Sequence, residues 1–185
     1  MMNLETVIEG CRKGDTAMQK ELYEQYSPRF FALCRRYASD DETAREALVE
    51  GFITVFKGIE NYRGTGSFEG WMHSIFIRTA VRLYRDEKRR HRYFEYGEEL
   101  EASDGNPNIV NQIDLRDALV ESLQCLPRDE RAVFNLVAVE EYTLADAAES
   151  LSIPESTAKS RYYRAVEKMR KMLEKRLGRE YLKNL

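Results

Sequence analysis

The chain has 185 residues with only 10 glycines and 4 prolines, 33% of them charged, which allows one large or two small helix-rich domains. No run of about 18 apolar residues occurs, so no transmembrane helix is expected. The opening MMNLETVIEGCRKGD lacks the apolar centre of a secretory signal, and the expected location is the cytoplasm. The net charge of −3 is unevenly spread: six Lys/Arg stand against two acids over 82–92 and ten against four over 155–183. By contrast, 93–104 holds five acids and no base, and 114–149 holds nine acids against three bases. Two basic blocks among acidic stretches suggest two surfaces for polyanions on one chain.

Apolar residues recur at helical spacing from residue 4 to about 90, with short breaks. Lys13-Gly14-Asp15 is the first break, and Asp15 is placed to cap the next helix. Ser39-Asp40-Asp41 is the second, with Ser39 or Asp40 as cap. In the helix predicted over 40–59, Ala44, Leu48, Gly51, Val55 and Ile59 share the inward face. Glu46, Val49, Glu50 and Ile53 occupy another arc, where acids mixed with aliphatics suit a partner protein as well as a plain solvated face.

The third break, Tyr62-Arg63-Gly64-Thr65-Gly66-Ser67-Phe68, is a two-glycine loop with an aromatic at each end. It leads into an apolar helix, FEGWMHSIFIRTAVRLYR, on which Ser74, Arg78, Arg82 and Arg85 form one stripe with Trp71. Arginines that track phosphates beside rings that stack on bases suit a single strand of nucleic acid. The alternative for Phe68 and Trp71 is ordinary burial in a core. No GxxxxGK[ST] is present, so the glycines are not read as a nucleotide-phosphate loop.

The stretch 93–112, acidic and containing DGNPN, reads as a flexible linker between domains over 1–92 and 113–185. Helical spacing resumes at Ile113, broken at Leu126-Pro127 and near Ile153-Pro154. Thr143 can cap a short helix, with Asp146 completing a capping box, and Leu144, Ala147, Ala148 and Leu151 form its apolar face. After the turn Ser152-Ile153, Pro154 stands where a second helix begins. At about 100° per residue, Ala158, Tyr162, Ala165, Val166, Met169 and Leu173 point inward. Ser156, Lys159, Ser160 and Tyr163 point away, with Thr157 and Arg164 beside them. A capped helix, a tight turn and a basic second helix predict a helix-turn-helix that reads duplex DNA.

Two motifs carry a family resemblance. LPRDERAVFNLVAVEEYTLADAAESLSIPESTAKSRYYRAVEKMRKML resembles region 4 of the extracytoplasmic-function (ECF) sigma factors of the sigma-70 family. YRGTGSFEGWMHSIF resembles their region 2. The resemblance implies an all-α chain of two helical domains that binds core RNA polymerase, recognises promoter DNA and promotes strand opening, with no cofactor and no catalysis of its own. It implies −35 contacts from Ser156, Lys159, Ser160, Tyr163 and Arg164, and phosphate contacts from Thr157 and Arg161. It assigns the melted −10 strand to Tyr62, Arg63, Gly64, Ser67, Phe68, Trp71, Ser74, Arg78, Arg82 and Arg85. Glu46, Val49, Glu50 and Ile53 fall where the family docks on the clamp helices of the largest polymerase subunit; the polymerase flap and an anti-sigma factor are further implied partners. Departures from the pattern are Ser152 for a turn glycine, Pro154 and Ser156 for a Ser and a Gly, Arg78 for an Asn, Arg45 for an acid and Val49 for a Gln.

Cys11, Cys34 and Cys125 are widely separated, and His73 and His91 are the only histidines. Neither a disulfide framework nor a metal site is expected, and the cysteines read as packing residues. The rival readings are a stand-alone helix-turn-helix regulator, which needs neither the arginine stripe nor the 62–68 loop, and a helical adaptor that binds proteins alone.

Overall fold

A computed structural model describes residues 3–94 and 115–177, with side chains described over 3–90 and 118–177. Among the described residues every regular element is helical. The order is α1 (Leu4–Arg12), α2 (Thr16–Arg35), α3 (Asp41–Gly58), a 3-10 turn (Ile59–Asn61), α4 (Phe68–Phe94), α5 (Leu115–Gln124), α6 (Arg128–Phe134), a π turn (Asn135–Val139), α7 (Leu144–Leu151) and α8 (Glu155–Leu177). The chain divides into two compact units, Met1–Arg89 and Arg90–Leu185. The linker expected over 93–112 lies outside the described residues, except that α4 continues through its first two.

The predicted caps start the helices. Asp15 accepts the amides of Ala17 and Met18 at 2.8 and 3.3 Å, and Asp40 accepts that of Thr43 at 2.8 Å. Each side chain satisfies amides that the first helical turn leaves without a partner. Pro28 sits inside α2 and removes one backbone donor without ending the helix.

The core of the first unit is aromatic. Phe30 of α2 and Phe76 of α4 stack at 4.1 Å and 8°, and Phe52 of α3 meets Phe76 edge-on at 5.2 Å. Burying such a side chain contributes about 1.5–3 kcal/mol, and each well-oriented ring pair adds about 0.5–1.5 kcal/mol. Gly51 makes the arrangement possible, because a Cβ there would collide with the Phe76 ring. Ala44, Leu48, Gly51, Val55 and Ile59 all turn inward, as their spacing predicts.

In the second unit, Leu126, Ala165 and Met169 form a buried cluster flanked by Leu123, Phe134, Met172 and Leu173. Ala147 and Ala148 of α7 and Ala158 of α8 are buried, and their small size lets the two helices cross closely. Val166 departs from the expectation and is 38% exposed. Ala165 takes the inward position beside it, and a residue one step around the helix is carried to the margin of the contact.

Candidate nucleic-acid interface

The 62–68 loop is held at several points. Gly64 and Gly66 adopt φ of 74° and 84°, a region that side chains with a Cβ avoid. The Tyr62 hydroxyl donates to the Gly66 carbonyl at 2.8 Å and closes the loop on itself. The Arg12 guanidinium of α1 donates to the Tyr62 carbonyl at 2.6 Å. Ser67 caps α4 by accepting the Gly70 amide at 3.0 Å.

Three rings back this loop. Tyr62 meets Phe68 edge-on at 5.0 Å and Trp71 at 5.6 Å, and Phe68 stacks on Trp71 at 5.4 Å. Tyr62 and Trp71 are half-buried, so each retains exposed surface, whereas Phe68 is 4% exposed. Phe68, expected among the strand-contacting residues, packs against both of the other rings. The hydrophobic effect draws in the one ring that carries no polar atom.

Arg63, Ser74, Arg78 and Arg82 are exposed, and Arg85 is half-buried. Arg78 folds back along α4, its Nε donating to the Ser74 carbonyl at 3.0 Å. Arg82 forms an ion pair with Glu50 of α3 and a longer one, 3.8 Å, with Asp86. Val49 and Ile53 are 51% and 46% exposed, Glu46 is exposed and Glu50 half-buried, so the predicted arc of α3 does face outward.

The helix-turn-helix is built as its sequence predicts, with one strained corner. Thr143 accepts the Asp146 amide at 3.1 Å, and its hydroxyl donates to the Asp146 carboxylate at 2.6 Å. Ser152 ends α7 in the left-handed region at φ 54° and ψ 49°, filling the place of a turn glycine. The Ile153 amide donates to the Ala148 carbonyl at 3.0 Å, which closes the helix end. The Pro154 carbonyl accepts the amides of Thr157 and Ala158 at 3.0 Å.

On α8, Ser156, Lys159 and Ser160 are exposed, Tyr163 is 58% exposed, and Thr157 is half-buried. Lys159 makes no ion pair among the described residues. Arg161, expected at a phosphate contact, has a side chain 16% exposed that pairs with Asp129 of α6 at 2.5 Å. Arg164 and Lys168 both pair with the buried Glu130 of α6, at 3.5 and 2.8 Å. Asp129, Glu130 and Arg12 have no such part legible in the sequence. Each acts on a residue far away in the chain, and periodicity carries no signal for such a pairing. In the sequence the acids of α6 count only toward the acidic stretch 114–149.

Two family models match: Sigma-70 region 2 over residues 22–90 and Sigma-70 region 4 over residues 116–169. The chain is 25% identical over 183 residues to the ECF RNA polymerase sigma-E factor of Haemophilus influenzae, covering 94% of each chain. It is 30% identical over 162 residues to the ECF RNA polymerase sigma factor SigE of Mycolicibacterium smegmatis, covering 84% of this chain and 61% of that one. In fold it is similar to the sigma factor RpoE solved in complex with the anti-sigma factor NepR from Bartonella quintana, with a TM-score of 0.50, 20% identity, and 84% of this chain and 96% of that one covered. With both regions present in order, and relatives of the same group aligned along nearly its whole length, the chain belongs to the ECF group of the sigma-70 family, the sigma factors that direct RNA polymerase to promoters.

Proposed function

We propose that this chain divides promoter recognition between its two units, with the domains spanning 1–92 and 113–185 and a connector over 93–112. The observation that carries this reading is the pairing, in one chain, of a ring-backed glycine loop and arginine stripe with a separate helix-turn-helix. A duplex-binding regulator has no use for the first of these. Tyr62, Trp71 and the glycine loop capture an unstacked base of the −10 element. Arg63, Ser74, Arg78, Arg82 and Arg85 then hold the melted strand. Stacking a base on a ring contributes about 1–3 kcal/mol, comparable to the cost of taking it out of the duplex, so strand capture drives opening without nucleotide hydrolysis.

Lys159, Ser160, Tyr163 and Arg164 read the −35 element, with Ser156 and Thr157 at its edge. Glu46, Val49, Glu50 and Ile53 dock on the clamp helices of the largest polymerase subunit, and the second unit meets the flap. The chain works in the cytoplasm, needs no cofactor and leaves all catalysis to the polymerase. An anti-sigma factor, the class of partner that holds the Bartonella quintana relative, restrains it. No helix among the described residues is long and apolar enough to cross a membrane.

Run-off transcription with purified core polymerase and genomic fragments tests this reading. Discrete transcripts that depend on the added chain are expected. Tight duplex binding without polymerase, together with no transcript above core alone, supports the stand-alone regulator instead.

A further inference from the structure

Arg161, Arg164 and Lys168 lie along one edge of α8, and every one of them is tied to the first turn of α6. Asp129 takes Arg161, and Glu130 takes both Arg164 and Lys168. The Glu130 side chain is 8% exposed, while those of Arg164 and Lys168 are 60% and 46% exposed. The carboxylate is thus buried, while the two cations it pairs with stay partly exposed.

We propose that Glu130 is a positioning residue for sequence discrimination, holding Arg164 and Lys168 so that non-target duplex gains less from them than target duplex does. This rests on the assignment of α8 to the −35 element. A DNA phosphate competes with Glu130 for the same cations. Moving them to a phosphate leaves a buried carboxylate without its partners, which is costly. Non-target DNA offers only the phosphate in return. Target DNA adds base-edge hydrogen bonds to a correctly placed guanidinium, which outweigh that cost. Sequence discrimination therefore arises partly in a residue that touches no DNA.

The test uses the full chain in holoenzyme, on promoter fragments with a pre-opened −10 bubble and a −35 duplex either enriched by the wild type from a randomised pool or scrambled. Glu130→Gln keeps the shape and removes the charge. It is expected to tighten binding to scrambled duplex, lowering the target-to-scrambled ratio about 3- to 10-fold. The salt dependence on scrambled DNA should steepen by about 0.9 for each phosphate contact regained, so up to about 1.8. Glu130→Asp keeps the charge but withdraws it, and should shift both quantities the same way by less. A wild-type ratio and slope in Glu130→Gln overturn the proposal, as does a ratio lost only through weaker target binding. Should Glu130→Gln not reach wild-type helicity, Glu130→Asp decides: a smaller shift in the same direction upholds the proposal and a wild-type ratio and slope overturn it. If Lys159→Ala also leaves −35 preference unchanged, α8 does not read that element, and the assignment beneath the proposal fails whatever Glu130 does.

Discussion

Arg82 of α4 pairs with Glu50 of α3, so a cation assigned to the melted strand and an acid assigned to polymerase docking neutralise each other in the isolated chain. The pair joins the two surfaces of the first unit. Both side chains are partly exposed, at 45% and 40%, so the contact itself contributes little to stability and is easily exchanged.

Charge reversal on the α3 arc therefore has two effects that separate experimentally. Glu46→Arg with Glu50→Arg should weaken binding to core polymerase by about 1 to 2 decades at unchanged helicity. Glu46→Arg alone leaves Arg82 paired and should show a smaller part of the same loss. Affinity measured by fluorescence anisotropy checks both, and wild-type affinity in the double variant removes this docking surface.

Strand capture should depend on Tyr62, Trp71 and Arg78 after the duplex is bound, not before. Tyr62→Ala, Trp71→Ala and Arg78→Ala are each expected to leave closed complexes nearly normal and to reduce permanganate-reactive thymines in the −10 region. Trp71 and Tyr62 also pack on Phe68, so thermal midpoints near wild type are required of those two variants. Three well-folded variants that open promoters like wild type contradict this role for the loop.

Ser152 holds a left-handed conformation that glycine adopts freely. Ser152→Gly should stabilise the second unit by roughly 1 kcal/mol, and Ser152→Ala should not. Urea denaturation followed by circular dichroism reads the difference, and equal midpoints for the two variants would mean that the turn stores no strain.

Asp40 gives the fold a defined response to acid. The hydrogen bond from the Thr43 amide holds its carboxyl below the ordinary aspartate range, with a smaller contribution from the Ser39 hydroxyl. A carboxyl with a lowered folded-state pKa binds fewer protons folded than unfolded. Its contribution is complete above the ordinary value of about 3.9 and is lost as pH falls through the folded value. Asp40→Asn still caps α3 but does not titrate there, so its thermal midpoint should fall less than that of wild type below about pH 4. Parallel curves for the two proteins down to acid unfolding would assign the sensitivity elsewhere.

The caps at Asp15, Asp40 and Thr143 and the inward face of α3 were legible in the sequence because each is decided within a few residues. The helix-turn-helix was legible for the same reason, down to the capping box of Thr143 and Asp146. The surroundings of Phe68 and Arg161 were not. Whether a ring supports or contacts depends on its neighbours in space, and the partner of Arg161 lies on another helix. Val166 shows a finer limit, since a regular 100° step per residue says which way a side chain leaves the helix but not how far the neighbouring helix extends. The π turn over Asn135–Val139, where the Glu140 amide donates to the Asn135 carbonyl at 3.0 Å, gave no periodic signal of its own.

Burial makes two of the cysteines into internal clocks. Cys11 and Cys34 are 3% and 0% exposed, and desolvation pushes their thiols up to about 11 and about 12, with Asp15 adding to the first and Arg36 opposing the second. At neutral pH almost no thiolate is present, and an alkylating reagent reaches these sulfurs only when α1 or α2 opens. Cys125 is half-buried, in the other unit. Following the alkylation rates of Cys11 and Cys34 by mass spectrometry, with the more accessible Cys125 as an internal reference, would time the opening of α1 and α2 in the native chain with no label introduced.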